Sequence, residues 1–324
     1  MDSAQRRLKV LLVGTGALGS VYAWRLQASG KVEITAVCRS NYAAVQQNGF
    51  LIQSAAFGTH TYRPTKIISS ISNATGEIYD YVIVCTKALP NLGDNSDIIA
   101  PAVSPSTTIV LIQNGVGIEE PFARRYPQNP LGSAVAYIDA SQPEQGIINH
   151  GHISAMTLGT YPPHSEHSAR LTALSEIWNQ QGIPCTVVNN VQAFRWLKLV
   201  WNASFNTVAV VSGGNDTQEM LADQRCKALL RCIMLEVYRL GEAVLGEPLP
   251  VRNGVGDADA WIAETEGREV PVVPSMLMDF WAKRPMEHDV ILGRPIAVAR
   301  QLGIDVPHME SVYALLVMVE KQYL

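Results

Sequence analysis

The chain has 324 residues, 47% of them hydrophobic and 17% charged, and a formal net charge of −4. That length exceeds one compact core of ordinary size, so two domains are expected in a protein of soluble globular composition. The weak negative charge excludes a basic field for nucleic acid or anionic lipid, so any anion site must be local.

Met1–Arg7 runs straight into an apolar strand without the long apolar region of a secretory signal. Leu8 to Val13 then reads as a buried first strand, Ala17 to Ser29 as the helix after it and Val32 to Cys38 as the second strand. Ile78 to Cys85 and Thr107 to Ile112 read as further strands. Ser133 to Tyr137 and His152 to Leu158 alternate more weakly and are expected toward the sheet edge. Leu171 to Gln181 reads as a helix and Cys185 to Val188 as a last strand.

From Gln192 the periodicity becomes helical: Gln192 to Val211, Gln218 to Leu245, Asp257 to Glu264, Ser275 to Lys283, Asp289 to Leu302 and His308 to Leu324. Gly213-Gly214-Asn215-Asp216 ends one helix and caps the next, and Asn189-Asn190 marks the domain boundary. The expected architecture is α/β: a Rossmann-type doubly wound sheet domain at 1–190, followed by an all-helical domain at 191–324. A substrate is expected in a cleft between the two. Leu197–Val211 is too short and too polar, with Lys198, Asn202 and Asn206, to span a bilayer. The five cysteines (Cys38, Cys85, Cys185, Cys226 and Cys232) are scattered without metal-ligand spacing, which reads as reduced, buried thiols of a cytoplasmic protein.

The strongest chemical signal is Gly14-Thr15-Gly16-Ala17-Leu18-Gly19, a G-x-G-x-x-G turn after the first strand and at the start of a helix. The first glycine permits the tight turn, the second lets the backbone approach a pyrophosphate, and the third lets helix and strand pack closely. The helix start offers free N–H groups to phosphates. The second strand then ends at Cys38-Arg39-Ser40-Asn41, without the carboxylate that an NAD enzyme commonly presents to the ribose. Arg39 can fork onto a 2′-phosphate, with Ser40 or Asn41 adding hydrogen bonds, so NADP(H) is the expected cofactor. Cys85-Thr86-Lys87-Ala88 and Gln113-Asn114-Gly115-Val116-Gly117 close later strands and bring Lys87 and Asn114 to the carboxyl edge, where such sheets bind ligands.

In the second domain Lys198, Asn202 and Asn206 stand at i, i+4 and i+8, so one face of an otherwise apolar helix carries an ammonium and two carboxamides. Burying such groups unpaired is costly, so either a ligand or an internal hydrogen-bond network must meet them. Glu287 and Asp289 stand where a helix should begin and have helix-dipole stabilisation as their plain reading. His150 and His152 could share a strand face but lack a third ligand, so no metal site is expected.

Taken in order, Gly-x-Gly-Ala-Leu-Gly, Thr-Lys-Ala, Gln-Asn-Gly-x-Gly, Lys-Leu-x-x-Asn-x-x-x-Asn, Pro-Ser-Met-Leu-x-Asp and Arg-Pro-x-Glu resemble the ketopantoate reductase (2-dehydropantoate 2-reductase) family over nearly the whole chain. The resemblance implies Lys198 as the catalytic lysine that protonates the carbonyl oxygen while hydride arrives from a nicotinamide. It implies Glu287 as the acid that binds the substrate hydroxyl and the lysine. Asn114, Asn202, Asn206 and Ser275 match groups that grip a 2-oxo acid, while Lys87, with Asn114 beside it, lines the cofactor. The implied reaction is reduction of 2-dehydropantoate to pantoate in pantothenate biosynthesis.

One position departs. The family pattern Glu-x-Asp-x-x-Asn-Gly reads Glu287-His288-Asp289-Val290-Ile291-Leu292-Gly293, with leucine in place of asparagine and an unusual histidine. A reductase of another small 2-oxo acid and a non-catalytic NADPH-binding regulator are therefore the competing expectations. The apolar C-terminal helices suit a homodimer interface as well as a domain core.

Overall fold

The computed structural model describes residues 6–324; Met1–Gln5, part of the stretch read as lacking a signal, lie outside the described residues. The chain divides into two compact units. One holds the residues up to Lys87, Asp94–Gln113 and Glu119–Val191; the other holds Ala88–Gly93, Asn114–Ile118 and Gln192–Leu324. The second unit thus takes two short segments that leave strand ends of the first.

The first unit is built on one sheet of β1 (Leu8–Val13), β2 (Val32–Val37), β3 (Phe50–Ser54), β4 (Gly58–Tyr62), β5 (Lys66–Ile68), β6 (Tyr81–Val84), β7 (Thr108–Ile112), β8 (Leu131–Glu144), β9 (Ile147–Thr160) and β10 (Cys185–Val187). Its order is β4-β3-β9-β8-β7-β6-β1-β2-β5, with β10 also paired to β9. The run β5-β2-β1-β6-β7-β8 is parallel throughout. It has the 3-2-1-4-5-6 strand order of a doubly wound dinucleotide-binding sheet. The helices of this unit are α1 (Ala17–Ala28), α2 (Tyr42–Asn48), α3 (Asn95–Ile98), α4 (Glu120–Arg125) and α5 (Ser168–Gln180). Tyr22 of α1 meets Trp178 of α5 edge to face at 6.0 Å, and Trp178 donates Nε1–H to the Tyr22 carbonyl. Each such buried side chain stabilises the fold by about 1.5–3 kcal/mol.

Two expectations, on the place of two strands and on the cysteines, need correction. β8 and β9 lie inside the sheet, not at its edge, and each is 14 residues long. Their ladder shifts register between Ile138 and Ala140 and again between Ser141 and Glu144, and an irregular register blurs the alternation that marks a strand in sequence. The strand order ends at β4 and β5, which with β3 gave no sequence signal: β5 spans three residues and β4 is mostly exposed and polar. All five cysteines are free thiols, but only Cys38 and Cys185 are buried; Cys85, Cys226 and Cys232 are partly exposed.

The second unit is helical. α6 (Val191–Trp201) continues through a π-turn at Asn202–Asn206 into α7 (Thr207–Val211). After α8 (Thr217–Ala222) come α9 (Gln224–Leu245), α10 (Ala258–Glu266) and α11 (Ser275–Trp281). A second π-turn at Asp289–Gly293 leads into α12 (Arg294–Leu302), and α13 (Pro307–Glu320) follows. The stretch read as one helix from Gln218 to Leu245 is two. Asp223 adopts extended ψ, and its carboxylate accepts the N–H groups of Arg225 and Cys226, so it caps a new helix instead of continuing the old one. No helix among the described residues is long and apolar enough to cross a membrane.

Candidate active site

The glycine turn has the shape a pyrophosphate needs. Gly14 has φ +104°, and a Cβ there would lie 2.5 Å from the Cys85 carbonyl carbon and the Thr86 nitrogen. A Cβ on Gly19 would lie 2.2 Å from the Gly14 oxygen, so both positions require glycine for packing. Gly16 differs: it is exposed, its φ is −75°, and a Cβ would meet nothing within 4 Å. The space above Gly16 is open, and α1 begins there with no side-chain cap and no acidic residue in its first turn. These are the properties of an anion cradle at a helix start, and a dinucleotide fits them.

Beside this turn Arg39 and Ser40 are exposed at the end of β2. Asn41 does not join them. It is buried, and its amide donates to the Thr15 carbonyl oxygen and hydroxyl at 3.1 and 3.2 Å. The Thr15 hydroxyl in turn reaches the Val37 carbonyl at 3.2 Å. The Thr15 and Asn41 side chains therefore brace the turn from behind, which corrects the expectation that Asn41 is available to a phosphate. Ala17 and Leu18 form the first turn of α1, half-buried, and Lys87 is half-buried just beyond β6.

A second cluster assembles within the helical unit. Lys198 on α6 donates from Nζ to Asn114 Oδ1 at 2.8 Å. The Asn114 amide points toward Glu287 Oε2 at 3.4 Å, and the other Glu287 oxygen accepts the Ala88 N–H at 2.9 Å. Both short segments that this unit takes from the sheet region thus supply the cluster. The segment carrying Asn114 is held tightly. Gly115 has φ +91°, a Cβ there would stand 2.5 Å from Val290 Cβ, and Val116 N–H bonds the Val290 carbonyl at 3.1 Å. Buried Arg195 donates from Nη1 to the Gly115 carbonyl at 3.0 Å.

This packing tunes the lysine. Loss of hydration is the largest influence and brings the Lys198 pKa from 10.5 down to about 8. The positive charge of Arg195 acts in the same direction, the negative charge of Glu287 opposes it, and Arg252 adds a further depression. A lysine so placed holds its proton at neutral pH yet gives it up readily.

The carboxamide face is real but internally engaged. Asn202 and Asn206 are buried, and the Asn206 amide donates to Asn202 Oδ1 at 3.0 Å. Asn206 Oδ1 accepts from the Ser275 hydroxyl at 3.2 Å and the Met276 N–H at 3.0 Å. Asn206 therefore ties α11 to the π-turn, leaving Ser275 exposed at the start of α11. Sequence reasoning assigned no role to Arg195, Arg252 or the Ala88 N–H. Arg195 meets Gly115 and the Ala88 N–H meets Glu287 from far along the chain, and Arg252 acts on Lys198 through its charge, so no local spacing signals them.

His150 is buried against Ser54, its Nδ1 lying 2.8 Å from the hydroxyl. It lines an open hollow of about 470 Å³ with Gln53, Asp139 and Asn149. Among the described residues no group of three His, Cys, Asp or Glu side chains could hold a metal ion.

Comparison with known proteins identifies the family. The family model described as ketopantoate reductase PanE/ApbA matches residues 10–163, and the model of its C-terminal part matches residues 190–320. A 2-dehydropantoate 2-reductase of a Nostoc species is 28% identical over 94% of this chain and 93% of its own length. The crystal structure of 2-dehydropantoate 2-reductase from Methylococcus capsulatus superposes with a TM-score of 0.86 at 35% identity, covering 98% of both chains. D-mandelate dehydrogenase, solved with NADH and anilino(oxo)acetate, shares the fold with a TM-score of 0.85 at 18% identity over 98% of this chain and 99% of its own. With its fold and both family models in agreement, the chain is an oxidoreductase that belongs to the ketopantoate reductase family.

Proposed function

We propose that the chain reduces 2-dehydropantoate (ketopantoate) to (R)-pantoate with NADPH, as in pantothenate biosynthesis. The observation that carries this reading is the Lys198–Asn114–Glu287 cluster, which sets a proton donor of pKa about 8 beside a carboxylate. A nicotinamide cofactor, when bound, would supply hydride to the carbonyl carbon. As that carbon is reduced its oxygen gains alkoxide character, and the Lys198 ammonium stabilises the charge and delivers the proton. Asn114 orients the ammonium through Oδ1. Glu287, fixed by the Ala88 N–H, keeps one oxygen toward the Asn114 amide and balances the lysine charge. In this reading Asn202 and Ser275 grip the 2-oxo acid, and Asn206 holds those two in place.

The cofactor is assigned to the Gly14–Gly19 turn for the pyrophosphate and Arg39 for the 2′-phosphate, with Lys87 and Asn114 as further cofactor residues. Arg39 is exposed and stands where an NAD enzyme would carry a carboxylate, which supports NADP(H).

A second reading, reduction of another small 2-oxo acid, is favoured by Leu292. This side chain is fully buried within the π-turn after Glu287, where the family pattern carries a polar group. Oxidation of NADPH, followed with ketopantoate and with alkyl and aryl 2-oxo acids and repeated with NADH, separates the readings. Preference for ketopantoate and NADPH supports the first, and preference for an oxo acid without the hydroxymethyl group supports the second. Cofactor binding without oxidation by any oxo acid would leave only a non-catalytic role.

A further inference from the structure

We propose that Arg195 is a positioning residue of this reductase: one buried guanidinium fixes the Asn114–Gly115 turn against α6 and sets a second cation on the helix that carries Lys198. The inference rests on the reductase reading for its link to turnover, but its physical content does not.

Arg195 precedes Lys198 by three residues on α6, so both side chains leave neighbouring faces of one helix. It is only 3% exposed. A guanidinium that far from water is costly unless a specific gain offsets it, and a leucine or methionine would fill the volume of an apolar helix at less cost. The bond that Arg195 makes is directed: Nη1 donates to the Gly115 carbonyl at 3.0 Å. Gly115 adjoins Asn114, whose Oδ1 takes the Lys198 proton donor at 2.8 Å. Val290 blocks the turn on another side, with its carbonyl on Val116 N–H and its Cβ against Gly115. The backbone that follows Asn114 is thus held between Arg195 on α6 and Val290 in the second π-turn. Arg195 is the part of the clamp that comes from the same helix as the lysine.

The charged groups that act on Lys198 are Arg195 on its own helix, Glu287 before the second π-turn, and Arg252. Arg252 is carried on a tight turn closed by paired backbone bonds with Val255. Of the two cations Arg195 has the greater influence, and both oppose the single carboxylate. Removing the Arg195 charge should therefore raise the Lys198 pKa, whereas keeping a cation there should preserve it.

The test measures Lys198 directly in the unliganded full-length protein, by competitive amine labelling across pH with the modified lysine read by mass spectrometry. The wild-type labelling midpoint should lie near 8. In Arg195→Gln it should move up by roughly one pH unit, a size typical of a nearby charge. In Arg195→Lys it should stay within a few tenths of wild type. The alkaline limb of kcat should move with it in Arg195→Gln and stay in Arg195→Lys, while Arg195→Lys still loses kcat because an ammonium does not place a donor on the Gly115 carbonyl as Nη1 does. An unmoved labelling midpoint in Arg195→Gln overturns the proposal. Should that variant not fold, Arg195→Lys decides alone: a midpoint displaced by a full unit, or unchanged kcat, overturns it. A shifted midpoint in a protein that reduces no oxo acid would retain the electrostatic role of Arg195 and reject the reductase reading instead.

Discussion

His288 and Glu320 lie side by side in the helical unit, with Nε2 2.7 Å from Oε2 and both side chains buried. The second Glu320 oxygen accepts the Met286 N–H, also at 2.7 Å. The histidine that looks anomalous next to Glu287 in sequence therefore belongs to a brace from α13, and that brace grips the residues on both sides of Glu287.

Glu320→Ala should leave His288 and the Met286 N–H without this partner. The expected loss is roughly 3 kcal/mol or more, read as a lowered urea midpoint with unchanged slope. Glu320→Gln keeps one acceptor and should lose less. Equal stability of the alanine variant and wild type would remove the brace from the account of how Glu287 is placed.

Lys198→Ala should lower kcat by about 10²–10⁴-fold, the range for a lost proton donor, with NADPH affinity retained. In the intact enzyme the ammonium is the active form, so oxo acid reduction should fall as pH rises through about 8. The stability effect has the opposite sense. The folded pKa is lowered, so the unfolded chain binds the extra proton more readily between about 8 and 10.5, and stability contributed by this site rises across that interval. Lys198→Met should accordingly be inactive yet more resistant to denaturation at pH 7.

Alanine at three glycines should separate folding from binding. Gly16→Ala meets no atom within 4 Å and keeps an ordinary φ, so its thermal midpoint should match wild type while dinucleotide affinity drops. Gly14→Ala and Gly115→Ala place a Cβ 2.5 Å from other atoms at positive φ, and each should lose about 2 kcal/mol or more of stability. Undiminished cofactor binding in Gly16→Ala would argue that the pyrophosphate lies elsewhere.

Arg39→Ala tests the cofactor assignment. A lost charge-assisted contact of about 1.5–3 kcal/mol corresponds to roughly 10–100-fold weaker NADPH binding by fluorescence titration. NADH binding should be unchanged. Equal losses for both dinucleotides would mean that Arg39 does not address the 2′-phosphate.

What could be read from the sequence was local chemistry. The glycine turn announced itself because its residues, its strand and its helix are contiguous, and the Lys198, Asn202 and Asn206 face followed from helical spacing. Non-local partners were out of reach: Asn41 reads as a free polar group until Thr15 is seen beneath it, and Arg195 reads as one more cation until Gly115 arrives from 80 residues away. The inner position of β8 and β9 was hidden by their register shifts, and Asp223 concealed a helix break because aspartate is polar in helix and cap alike.

The π-turn after Lys198 changes the phase of its helix. In a regular α-helix four residues overshoot a full circle by about 40°, so a face marked at every fourth position slowly spirals away. The wider turn at Asn202–Asn206 advances each residue by less and winds that drift back, and the Asn202–Asn206 hydrogen bond at 3.0 Å is seated there. The alignment of lysine and carboxamides thus depends on chain length, through one extra residue's worth of backbone in the turn. A single-residue deletion there would turn everything downstream to a new azimuth while leaving every functional side chain present, a lesion that no inventory of residues would detect.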